Sequence, residues 1–308
     1  MNVDEYLASW LELQRSQLQP STWESYRSNV DRYLRPGLGH LPLDSVTAAQ
    51  LSAFYARLQQ CGGRRGQDRA LSLRTVQFCH AVMHKALKDA VRHEILTRNV
   101  AVNATLPKLD LRGDDVRELR AWTADELRTF LAHTDGSPLH DLWLLAATTG
   151  LRRGELLGLR WEDVDLNGHT LAVRRALSVV KGQARLKQPK TSRCRTLRLD
   201  AVTVRMLERR RRDTDRQAAT HPDWRNTWNL VFTEPHGGYI HPDRITHGFR
   251  VAVRNAPVPR IRLHDLRHSH ATLLHLRGVA PGASLGRVCD RWGVGVSRLW
   301  GVQGRRVS

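Results

Sequence analysis

Residues 106–121 crowd Lys108, Asp110, Arg112, Asp114, Asp115, Arg117, Glu118 and Arg120 around Pro107 and Gly113, and no helical or strand period runs through them. A stretch this charged and unpatterned does not carry an apolar core across it. The chain is therefore expected to divide into one folded part before it and another after it. A length of 308 residues is enough for two domains of ordinary size. The expected organisation is a helical domain over 1–105, a linker over 106–121, a mixed α+β domain over 122–274, and a tail over 275–308.

The first part reads as helices with short connections. Ser21 and Glu24 have the spacing of a capping box, Tyr26, Val30 and Tyr33 follow at helical intervals, and Pro36 is expected to stop that helix. Residues 46–50 open a second helix with Leu51, Phe54, Tyr55 and Leu58 on one face, ended by Gly62 and Gly63. A long helix from about Ser72 to Leu96 presents Val76, Val82, Leu87 and Val91. Beyond the linker, Thr123 and Glu126 form another capping box, and the apolar run Leu142–Ala147 is too short for a bilayer and fits a buried helix. Residues 170–173 and 195–199 alternate like strands of a small antiparallel sheet, and helical patterns return from Val202 and around His264.

Lys and Arg number 49 against 30 Asp and Glu, a formal charge of +19. The excess is spread through both halves, which points to two surfaces gripping one polyanion. Nucleic acid is the partner this favours. An anionic membrane finds no support in a spanning segment, a juxtamembrane signal or a lipidation motif. The basic stretch Arg64, Arg65 and Arg69, with Arg153, supplies candidate contacts to DNA. The four cysteines Cys61, Cys79, Cys194 and Cys289 are scattered without CxxC spacing, and the start of the chain lacks a secretory pattern, so a cytoplasmic location is expected.

Two basic motifs carry the chemistry. In the first, residues 149–156, Arg152 follows Thr149, Gly150 and Leu151 at what reads as a helix N-terminus, and Glu155 lies one turn on, placed to orient it. The plain alternative is an amphipathic helix with solvated arginines. In the second, His264 and Arg267 lie three apart and share a helix face. Lys190 falls in a turn between two expected strands, where it is either simply solvated or a mobile general acid. His264 and His268, four apart around Asp265, also have zinc-helix spacing. Against a metal stand Arg267 between the two rings, the short Asp265 in place of a glutamate, and the lack of a third ligand. No cofactor or metal is expected.

Taken together, these segments resemble the tyrosine recombinase (phage integrase) family over nearly the whole chain to about residue 274. Residues 147–156 with 159–165 look like the family's first arginine box. Residues 189–191 with 195–197 are similar to its β-hairpin lysine segment, and residues 263–272 resemble its second box. The helical first part looks like the family's core-site-binding domain, which would clamp duplex DNA together with the second. The resemblance implies a site-specific recombinase that needs neither metal nor ATP and works as an oligomer on double-stranded DNA. Arg152 and Arg267 would bind the scissile phosphate, His264 would assist proton handling, Lys190 would protonate the departing 5′-oxygen, and Glu155 would support Arg152. The family places its arginine directly after Gly-Leu, which selects Arg152 over Arg153.

The same family has a nucleophilic tyrosine after the second box, preceded by a Leu-Gly-His segment. Here the last tyrosine is Tyr239, ahead of the second box, and no nucleophile is found. Residues 275–308 mix Gly, Arg, Val and Trp without a helical period, as an out-of-frame reading of a GC-rich gene would. A frameshifted or decayed terminus and a defect in strand cleavage are the expectations. A DNA-binding protein that occupies or regulates an attachment site, with no chemistry of its own, is the alternative.

Overall fold

Helix α1 (Val3–Arg15) begins at a reciprocal cap. Asn2 Oδ1 accepts from the Glu5 backbone N–H at 2.8 Å, and Glu5 Oε2 accepts from that of Asn2 at 2.9 Å. Helix α2 (Pro20–Asn29) corrects the expected start at Ser21. Its cap position is Gln19, and Pro20, with a fixed φ and no N–H to lose, takes the first turn. Glu24 binds Arg27 at 2.5 and 3.2 Å. Nor does Pro36 end the helical path. A π-helical turn, Val30–Leu34, intervenes, and the Arg35 N–H reaches back to Val30 O before α3 (Arg35–Leu38) continues. The wider turn accommodates a residue that lacks the N–H for a regular α-helical bond.

Helix α4 (Ala48–Cys61) starts where Thr47 and Gln50 cap each other's N–H, and it buries Leu51, Phe54, Tyr55 and Leu58 as expected. Helix α5 (Leu73–Arg92) is capped by Ser72 and buries Val76, Val82 and Leu87, while Val91 is half-buried. It stops before Leu96. Glu94 turns left-handed at φ 59°, and the Ile95 N–H folds back to Ala90 O at 2.9 Å. Trp10, Tyr55, Leu34 and Met83 are among the side chains these helices enclose.

The computed structural model describes residues 1–61, 70–108, 120–188 and 194–276. The chain forms two compact units, Met1–Arg117 and Glu118–Ser308. Residues 109–119 of the expected linker, the basic Arg64, Arg65 and Arg69, Lys190, and all but the first two residues of the 275–308 tail lie outside the described residues.

In the second unit, helix α6 (Ala124–His133) begins at the Thr123–Glu126 capping box. Helix α7 (His140–Thr149) is the buried apolar run and ends at Gly150, whose φ of 61° is the left-handed value that suits glycine at a helix C-terminus. Helix α8 (Arg153–Leu157) follows within a few residues. Strands β1 (Val164–Asp165), β2 (Thr170–Val173) and β5 (Arg195–Arg198) form an antiparallel sheet in the order β1-β2-β5, with Leu171 opposite Leu197. Between them lies a hairpin absent from the expected elements, β3 (Ala176–Val180) and β4 (Gln183–Lys187). Lys181 and Gly182 turn it, both at positive φ, as a tight two-residue hairpin requires. Strand β3 lies directly on α8: a Cβ added at Gly158 would sit 2.7 Å from the Leu177 N.

Helix α9 (Ala201–Thr220) is capped by Asp200. Helix α10 (Pro242–Asn255) is passed over by the sequence argument, although Ile245, Phe249 and Val253 recur every four residues and are buried. Helix α11 (Leu263–Leu276) carries the second basic motif and packs against α7. Trp122, Phe130, Trp143 and Phe249 form an aromatic centre to this core, with neighbouring rings 4.9–6.2 Å apart. Among the described residues no helix is long and apolar enough to cross a membrane.

Candidate active site

The site is built around the turn between α7 and α8. Arg152 is the cap residue of α8, and Glu155, one turn in, holds it twice. Glu155 Oε2 accepts from the Arg152 backbone N–H at 2.9 Å, and Oε1 accepts from its NH1 at 3.0 Å. A backbone donor that the short helix leaves unpaired and the guanidinium beside it are thus fixed by one carboxylate. The Glu155 side chain is 2% exposed and that of Arg152 41%, so the acid is internal and the guanidinium faces outward.

Arg195, at the start of β5, completes the arrangement. Its NH2 and NH1 donate to Glu155 Oε2 and Oε1 at 2.6 and 3.2 Å. Burial pushes the Glu155 carboxyl up, but the bonds from Arg195 and Arg152 outweigh it and hold the group below the usual range. The sequence places Arg195 in an expected strand and in the segment that resembles the family's lysine hairpin, but gives it no role of its own. The signal was present: Arg195 and Leu197 share one strand face, and Leu197 is 2% exposed. A charged residue on the inward face of a strand calls for a partner.

Helix α11 brings the second motif to the same turn. Arg267 NH1 donates to Gly150 O, the carbonyl two residues before Arg152. Burial lowers the Arg267 guanidinium from its ordinary value, the charges of Arg152 and Arg195 lower it further, and Glu155 opposes them. Arg152 and Arg195 thus share Glu155, and Arg267 reaches the same turn through Gly150 O. The buried His270 takes Ala147 O through Nδ1 at 2.9 Å, and its ring fills the space a Cβ at Gly150 would need, 2.7 Å from Cδ2. Burial lowers its imidazole to about 4. Sequence reasoning gave His270 no role, although it follows Arg267 by three and Leu266 by four, on the inward side of the helix.

The start of α11 repeats the device used at α8. Asp265 accepts from the Arg262 backbone N–H at 2.8 Å and from its guanidinium at 3.0 and 3.1 Å. Ser269 Oγ donates to Asp265 O at 3.0 Å and accepts from the Trp122 N–H at 2.8 Å, which moors the helix to the start of this unit. His264 is exposed, with its ring 5.2 Å from that of His268 and perpendicular to it. Desolvation first, then His268, holds the His264 imidazole below its ordinary value, so the ring is mainly neutral at pH 7. His264, Arg267, Leu151, Arg153 and Leu156 line one cleft of about 390 Å³. Two expected site residues from box two thus meet the first box across a single opening.

Arg153 turns away from Glu155. Its NH1 donates to Thr246 Oγ1 at 2.6 Å and Pro242 O at 3.3 Å, which ties it to α10. Tyr239 packs on Trp228 at 6.1 Å and is half-buried at the edge of the core. The carboxylate of Asp265 is taken up by Arg262, which leaves the His264–His268 pair without it as a base. Among the described residues no three His, Cys, Asp or Glu side chains gather as a metal site would need.

Comparisons with known proteins find relatives along most of the chain. Residues 120–283 match the phage integrase family model, and residues 2–59 match the N-terminal SAM-like domain of phage integrases. A tyrosine recombinase XerC-like protein of Caldanaerobacter subterraneus is 26% identical over 295 residues, covering 91% of this chain and 73% of that protein. The ICEBs1 integrase of Bacillus subtilis is 23% identical over 276 residues, covering 84% and 68%. Among solved structures, the integrase of transposon Tn1549 in complex with a circular intermediate DNA superposes with a TM-score of 0.73 at 19% identity, covering 94% of each chain. A lambda integrase dimer bound to a COC' core site gives 0.64 at 16% identity, again covering 94% of each. The likeness to these structures concerns the fold. With more than half of its length matched by the family model, the chain belongs to the phage integrase family.

Proposed function

We propose that this chain is a cytoplasmic site-specific DNA recombinase of the integrase type, whose chemistry is phosphotransesterification, that assembles as an oligomer on double-stranded DNA and is defective in strand cleavage over residues 1–308. The observation that carries this reading is that Arg152 and Arg195 bond one buried carboxylate while Arg267 reaches the same turn at Gly150 O, beside the His264 cleft. A phosphodiester carries one negative charge and gains more as a fifth oxygen approaches, so guanidinia held in advance stabilise the transition state over the ground state.

In this reading Arg152 and Arg267 bind the non-bridging oxygens of the scissile phosphate, and Glu155 orients Arg152. The neutral His264 ring accepts or relays the proton of the attacking hydroxyl. Lys190 protonates the departing 5′-oxygen. The attacking group would be a tyrosine, which forms a 3′-phosphotyrosyl bond as the P–O5′ bond breaks and so conserves the phosphodiester energy for resealing. Arg64, Arg65 and Arg69 add phosphate contacts that position the duplex, with Arg153 at the cleft edge. The domains are assigned as 1–105, 122–274 and a tail over 275–308, joined across 106–121.

No residue from 240 to 308 is a tyrosine. The 308-residue polypeptide is therefore assigned DNA binding without completed strand cleavage. The second reading, a protein that occupies or regulates an attachment site without chemistry, rests on that same observation. The test is selection of a preferred duplex from a random library, followed by incubation with a nicked form of it. The expected result is binding that weakens steeply with salt and no adduct that survives SDS. An SDS-stable adduct would overturn the cleavage defect and the second reading together. Absence of duplex binding would overturn both readings.

A further inference from the structure

Glu155 is held by an arginine that belongs to neither basic motif. Arg195 commits two guanidinium nitrogens to both carboxylate oxygens, while Arg152 commits NH1 to one of them. Their side chains are 20% and 41% exposed respectively, so Arg195 is the inner partner and Arg152 the outer one. A carboxylate buried beside a single arginine would form a neutral pair, and a neutral pair offers little to an incoming phosphate. A second arginine inside changes that balance.

Resting on the phosphate-binding reading above, we propose that Arg195 is a positioning residue that neutralises Glu155, so that Arg152 is oriented by the carboxylate without losing its charge to it. With Arg267 at the same turn, the group of three arginines and one carboxylate keeps a surplus of two positive charges. That surplus suits a phosphodiester whose charge grows as the transition state forms. The fork of Arg195 also fixes both carboxylate oxygens in one plane, which leaves Oε1 and Oε2 at set positions for the Arg152 side chain and backbone N–H. Strand β5 supplies the rigidity, because Leu197, on the same face as Arg195, is packed in the core opposite Leu171.

The test uses the full 308-residue chain and inorganic phosphate, with the apparent dissociation constant read from phosphorus-31 linewidths at fixed ionic strength. Arg195→Gln is expected to weaken phosphate binding about tenfold, and Arg195→Lys to weaken it less, since it keeps the charge and loses the fork. The decisive variant is Glu155→Gln with Arg195→Gln. It restores the surplus of two charges and is expected to return affinity to within about threefold of wild type. A purely architectural role for Arg195 predicts that this double variant is no better than the single one.

Wild-type affinity in Arg195→Gln, or a folded double variant as weak as Arg195→Gln, overturns the proposal. Should Arg195→Gln fail to fold by circular dichroism, Arg195→Lys and the double variant carry the same comparison. Arg152→Gln and Arg267→Gln separate the two levels. If they abolish the phosphate response and Arg195→Gln does not, Arg195 alone is misassigned. If they too leave it unchanged, the phosphate-binding reading fails and the proposal with it.

Discussion

Asp89 in the helical unit and Glu155 in the second are both buried among donors, and the two differ in what is left over. In the helical unit Asp89 accepts from Trp10 Nε1 at 2.9 Å, Gln14 Nε2 at 3.3 Å and Lys85 Nζ at 3.3 Å, with Arg92 at 3.2 Å. The first two are neutral donors from α1, and the two cations lie on Asp89's own helix with side chains 37% and 62% exposed. Asp89 therefore docks α1 on α5. Glu155 is bonded by two arginines drawn from α8's cap and from β5, with a third beside them on α11. Both carboxyls lie below their ordinary values although burial alone pushes them up. The lesson is that burial and pairing do not mark a functional acid. What sets Glu155 apart is an excess of cations gathered from separate elements.

The sharpest way to break that contrast is to remove both acids. Asp89→Ala and Glu155→Ala should each destabilise their unit by about 3 kcal/mol, because buried donors lose their partner. Only Glu155→Ala should change phosphate affinity. Urea unfolding together with phosphate titration reads both, and equal effects on phosphate would erase the distinction. Gly150→Ala comes next. An alanine at φ 61° costs about 1–2 kcal/mol, and its Cβ would press on the His270 ring, so Arg267 loses its carbonyl anchor. The variant should lose stability by about 2 kcal/mol or more and weaken duplex binding, as melting and gel-shift assays would show.

A third effect is pH-dependent and falls on the catalytic unit. His270 titrates at about 4 in the fold against an ordinary 6.5, so the unfolded chain binds its proton first as pH falls. Its contribution is complete above pH 6.5 and is lost as pH drops towards 4, a change of about 3 kcal/mol in all. His270→Phe should flatten the acid limb of unfolding free energy between those limits. A parallel limb in the variant would assign the dependence to other groups. The smallest effect is expected at Arg153, whose guanidinium is engaged by Thr246. Arg153→Gln should weaken duplex binding by about twofold to fivefold and barely move the sequence preference.

Much of this was legible in the residues, for identifiable reasons. The capping box at Thr123, the α4 face from Leu51 to Leu58 and the apolar run that became α7 are local patterns, and local patterns survive folding. Ser21 and Glu24 gave a false start because Pro20 satisfies the first turn more simply, and the turn at Pro36 needed a π-helical bond that no propensity encodes. Arg152, Glu155, His264 and Arg267 were found as motifs. Arg195 and His270 were missed because their roles come from contacts 40 and 123 residues away. Residues 209–212 are four consecutive arginines. In the fold Arg210 lies 4.4 Å over Phe232 and Arg211 5.0 Å over Trp161, so part of the charge excess is packing.

The central claim is that the convergence at Gly150 is a phosphate site for duplex DNA. The most direct measurement is the salt dependence of duplex binding by the full chain, wild type against Arg267→Gln. The expected result is a linear fall of log affinity with log salt, with the variant weaker and its slope shallower by about one. Binding that ignores salt, or an Arg267→Gln variant with wild-type affinity and slope, would contradict it.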